Sequence, residues 1–239
     1  MKNMNNMTRF YRQIAAAALI CCLLAALMLP GCKEEGREAV LPPIRMSDHP
    51  ANGSIGGPLG SLKEAAEASD AVACVRIGDW LGDHEDKVTT MFEAEVTRIV
   101  KGELPERIVL HQDGTSEYTY TNYPLFTAGN EMLVLLKKTR PHPGYGGKTS
   151  DDAYYISGAF LTVFDIVTLD SGESYAIPRR ALDDEFYPEE VDNFAYDLRL
   201  TEKVSEELVR SDGIWERIDR SFDRIFSLDE LAESLKRGS

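Results

Sequence analysis

Two hydrophobic spacings divide the chain. Between residues 71 and 178 apolar positions either run on or alternate, and after residue 178 they recur at helical intervals. "AVACVRIG", starting at Ala71, is a nearly unbroken apolar run and predicts a buried strand. "DWLGDHEDK" then reads as a polar turn. In "VTTMFEAEVTRIVKG", Phe92, Ala94 and Val96 alternate with Glu93, Glu95 and Thr97, predicting a half-buried strand that ends at Lys101-Gly102. "RIVLHQDG" is the next strand, with Ile108 and Leu110 on one face. A Gly turn precedes the apolar run Met132 to Leu136. "DAYYISGAFLTVFDIVTLDSGESYAIP" reads as a strand, a Gly break, a longer strand and a hairpin at "DSGE". No strand alternates with a helix long enough for a parallel crossover, so these six or seven strands predict a largely antiparallel sheet.

Helical patterns flank that region. "SLKE" at Ser61 is a capping box, with Ser61 as N-cap and Leu62, Ala65 and Ala66 as the apolar side. Beyond Pro178, Phe194, Leu198 and Thr201 can share a helix face, as can Ile214, Ile218, Phe222 and Ile225. "SLDE" at Ser227 repeats the capping box, followed by Leu228, Leu231 and Leu235. The aromatics Phe186, Tyr187, Phe194, Tyr196, Trp215, Phe222 and Phe226 are expected to complete a core, with these helices packed on the sheet.

The first 31 residues follow a third pattern. Lys2, Arg9 and Arg12 precede an apolar run from Ile14 to Pro30, the layout of a secretory signal. The run closes on Leu29-Pro30-Gly31-Cys32, which resembles the lipobox of bacterial lipoproteins. That resemblance implies that residues 1–31 are removed as a signal peptide and that Cys32 carries the lipid. Acyl chains contribute ~0.8 kcal/mol per buried CH₂, and two chains hold a protein on a membrane where one does not. The expected localisation is the extracytoplasmic face of the cell membrane. Residues 32–60, rich in Pro and Gly, read as a flexible tether. Cys21 and Cys22 leave with the signal, so Cys74 remains as a lone thiol inside an apolar strand, a core position rather than a reactive one.

Charge narrows the partners. The chain carries −14, and without residues 1–31 it carries 23 basic against 40 acidic side chains, or −17. Nucleic acid and anionic lipid both require basic patches, so neither is an expected partner of the folded part.

The order "SLKEAAEASDAVACVRIG", "VTRIVKG", "IVLHQDG", "PLFTAGNEMLVLLKK", "YYISGAF" and "SLDELAESL" resembles a group of uncharacterised secreted or lipid-anchored bacterial proteins. Their fold is an OB-type barrel akin to that of netrin domains and tissue inhibitors of metalloproteinases. The resemblance spans roughly residues 61–167 and implies an antiparallel OB-like β-barrel at residues 61–178, with residues 179–239 as a helical segment packed on it. The inhibitors of that fold chelate zinc through a free N-terminal Cys beside the barrel. Here Cys32 would be lipidated and about 28 residues away along the tether, so that mechanism does not carry over.

Chemistry-bearing motifs are sparse. The four histidines, His49, His84, His111 and His142, form no i, i+4 pair, and no HExxH, CxxC or G-x-S-x-G occurs. "DHED", Asp83 to Asp86, could join His111 in a metal site, or be a solvated turn. "GKT", Gly147 to Thr149, ends like a P-loop, but His142 stands where the motif begins with Gly, and a strand follows where a helix is needed. Six acids between Asp183 and Asp192 could attract Ca²⁺ but lack EF-hand spacing. No catalytic residue and no cofactor is assigned. The expectation is a non-enzymatic binding or structural protein with an envelope protein or peptide as partner. The alternative is an extracytoplasmic hydrolase or metal-dependent enzyme whose site assembles only in the fold.

Overall fold

Thirteen residues of strand, Ala71–Asp83 (β1), follow directly on a short helix, Leu62–Ala68 (α1), in the computed structural model of the chain. The structure describes residues 60–84, 88–117, 119, 123–139, 153–179, 184–211 and 223–237, all within the compact unit Leu41–Ser239. The expected signal peptide and tether, Cys32, His49, His142, the "GKT" segment and the expected Ile214–Phe222 face lie outside these residues.

Next come β2 (Thr89–Lys101), β3 (Arg107–Asp113), β4 (Glu131–Lys138), β5 (Ala153–Ile156), β6 (Val163–Thr168) and β7 (Ser174–Pro178). A helix α2 (Leu198–Ser211), the two-residue strand β8 (Phe226–Ser227) and a helix α3 (Leu228–Arg237) complete the described part. β1 pairs antiparallel with β2 on one edge and with β4 on the other. β2 pairs with β3, β3 runs parallel to β5, and β5 pairs antiparallel with β4. The circuit β1-β2-β3-β5-β4-β1 closes a five-stranded, OB-like barrel. Its one parallel pair needs no helical crossover, because β4 itself separates β3 from β5 along the chain.

The second edge of β4 is shared. β5 occupies its end, Leu136 to Lys138, and β6 occupies Met132 to Val134. The chain switches between these positions at Gly158, whose φ of +83° favours glycine, and a single 3₁₀ turn, Ala159–Thr162. β7 and β8 then extend the sheet outward from β6.

This topology explains the two strand patterns. Ala71, Ala73, Val75 and Ile77 of β1, with Met132, Val134 and Leu136 of β4, face the barrel interior. Val72, Cys74, Leu133 and Leu135 face outward beneath α1 and α3. Both faces are buried, so the runs are continuously apolar. The apolar side chains that β2 and β3 bury are Phe92, Ala94, Ile108 and Leu110, while Glu93 on the other face pairs with Arg107 at 2.9 Å. Alternation follows.

Ser61 and Ser227 each cap a helix through the hydroxyl. Ser61 Oγ accepts from Glu64 N at 3.2 Å, and Ser227 Oγ from Glu230 N at 3.5 Å. The orphan carbonyls at the end of α1 receive Lys101 Nζ on Ala66 O at 2.6 Å and Lys137 Nζ on Ala68 O at 3.0 Å. Leu228, Leu231 and Leu235 of α3 enter the same cluster as α1, Phe186 and Tyr187. The C-terminal helices therefore pack on the barrel sheet.

Three expectations change. "DWLGD" is not a turn: β1 continues to Asp83, because register shifts opposite Ile77, Trp80 and Gly82 let polar and apolar residues share a long, twisted strand. Tyr196 is 82% exposed and does not join a core. α2 buries Val204 and Leu208 rather than a Phe194–Leu198–Thr201 face. Its helical phase starts only at Leu198, where Asp197 Oδ1 accepts from Arg199 N and Leu200 N, and Leu198 is left in solvent.

Gly102, in the turn after β2, has φ +79°, and a Cβ there would sit 2.4 Å from Asp70 O. Gly102→Ala is expected to cost about 2 kcal/mol and lower the thermal midpoint by roughly 4–8 °C. A melt of the purified variant checks this.

Candidate functional site

Among the described residues, the barrel interior is lined by a continuous cluster of buried apolar side chains. Tyr123, Leu125 and Phe126, from the segment before β4, join the inward side chains of β1, β2, β3 and β4. Phe92 and Phe126 meet with ring centroids 5.8 Å apart. Gln112 of β3 holds the segment in place: its Nε2 donates to Pro124 O at 2.8 Å and its Oε1 accepts from Phe126 N at 2.8 Å.

A buried ion pair closes the same region. Arg179, just past β7, donates from Nε to Asp165 Oδ1 of β6 at 2.8 Å, with the two side chains 2% and 5% exposed. The guanidinium also lies 4.9 Å from the Phe126 ring centroid. Sequence reasoning did not single out this cluster. The available signal was an acid inside the apolar strand "VFDIV", which must find a partner when buried.

Of the residues suggested for chemistry, His84 and His111 do come together. β3 places His111 opposite Met91, which in turn faces Gly82 on β1. His84 follows β1 directly, and its N–H donates to Thr89 O at 2.8 Å across the β1–β2 hairpin. The two imidazole centroids are 5.9 Å apart with planes at 47°, and His111 is only 8% exposed. Asp83 does not join them as a ligand. Its carboxylate accepts from Thr90 Oγ1 at 2.7 Å, Ser116 Oγ at 2.6 Å and Ser116 N at 3.0 Å, which ties the hairpin to the loop after β3. Glu85 and Asp86 lie outside the described residues. Among the described residues no three metal-ligating side chains converge.

The acidic stretch before α2 is partly structural. Glu190 pairs with Lys63 of α1 and accepts from Ser234 Oγ of α3 at 2.9 Å. The Lys63 ammonium, helped by backbone and Ser234 donors, draws its carboxyl down to about 2. Cys74 is 3% exposed, and burial pushes its thiol up to about 11, so it is a core residue, as expected from its strand.

A cavity of about 260 Å³ lies between β4, β6 and α2, lined by Asn130, Glu131, Asp165, Val167, Glu207 and Leu208 among others. Its three carboxylates are each paired with an arginine: Glu131 with Arg76, Asp165 with Arg179, and Glu207 with Arg210. The β1–β2 hairpin exposes Trp80, Leu81 and Val88 at 41–56%, while Ile99, Tyr155, Tyr196, Leu198 and Val209 are exposed elsewhere.

Comparison with protein-family models, curated proteins and solved structures finds no match to the chain.

Proposed function

We propose that the chain is a lipid-anchored protein of the extracytoplasmic membrane face, attached through Cys32, whose barrel is a non-enzymatic binding or structural module for an envelope protein or peptide. The observation that carries the binding reading is the barrel interior, filled by its own side chains and plugged by residues 123–126. Recognition then falls to the outside. The β1–β2 hairpin supports this, since Trp80, Leu81 and Val88 stand exposed beside Asp79 and Asp83. A partner presenting an apolar side chain flanked by basic groups suits that surface.

The anchor reading rests on the charged start, the apolar run and Leu29 to Cys32. Cys32→Ala is expected to abolish labelling by a fatty-acid probe and to leave the uncleaved precursor. Continued acylation or processing at that position would overturn it. For the binding reading, photo-crosslinking from the hairpin in intact membranes is expected to yield a partner adduct that Trp80→Ala with Leu81→Ala removes. An adduct unchanged by the double variant would sink that surface.

The enzyme reading keeps one specific observation, the approach of His84 to His111. A hydrolytic activity towards envelope substrates that His111→Gln abolishes in folded protein would favour it over binding.

A further inference from the structure

We draw no further inference here: the strongest candidate, the exposed apolar side chains of Trp80, Leu81 and Val88 on the β1–β2 hairpin, belongs to the surface already proposed for partner binding, and nothing in the structure shows what covers it.

Discussion

Removal of residues 221–239 is expected to unfold the barrel rather than to strip off a separable activity. Ile225, Phe226, Leu231 and Leu235 are each at most 1% exposed. Burying a large apolar side chain contributes ~1.5–3 kcal/mol, so the four together compare with the ~5–15 kcal/mol that stabilises a typical domain. Two further contacts go with them. β8 pairs with β7 through Tyr175 and Ala176, and Asn193 Oδ1 accepts from Ile225 N at 3.1 Å. The outward faces of β1 and β4, Val72, Cys74, Leu133 and Leu135, would lose α3 and meet water. The truncated protein should show no cooperative melt, whereas Leu231→Ala, costing about 2–5 kcal/mol, should melt cooperatively at a lower temperature. An unchanged midpoint in the truncation would identify the tail as an independent arm and contradict the packing described here.

The second large effect concerns Asp165 and Arg179. Removing one partner of a buried ion pair leaves the other charge desolvated and unanswered, which costs about 3–5 kcal/mol. Asp165→Leu and Arg179→Met should therefore each lower stability to denaturant by that amount. The double variant should be less damaged than the sum of the two, because no isolated charge remains. Arg179→Met should be the worse single change. It also removes the guanidinium from the Phe126 ring and from Pro124 O, loosening the segment that plugs the barrel. Equilibrium urea unfolding of the four proteins forms the cycle. Additive losses would mean that the two side chains act independently, and the account of the pair would fail.

Much of the fold was legible along the chain because it rests on local patterns. Ser61 and Ser227 announce helix starts, since a hydroxyl three residues ahead of an amide can cap it whatever the rest of the protein does. Alternation at Phe92 and Ala94 against Glu93 and Glu95 marks a strand with one wet face. The stripe of Leu228, Leu231 and Leu235 marks a helix with one dry face. The lone buried thiol at Cys74 also follows from its apolar neighbours.

The rest depends on contacts between residues far apart in the chain. Local spacing does not show that β4 closes on β1, that β5 and β6 divide one edge of β4, or that α2 turns Val204 inward and leaves Tyr196 and Leu198 in water. Nor does it show which acid meets which base. Asp165 and Arg179 are brought together across the β6–β7 hairpin, and His84 meets His111 only through the register of three strands. A sequence determines which face of each element is apolar, because that is a property of neighbours a few residues apart. Which polar side chains converge is decided by closure of the barrel, a global arrangement whose loop-closure entropy is repaid only when all five strands have found their partners.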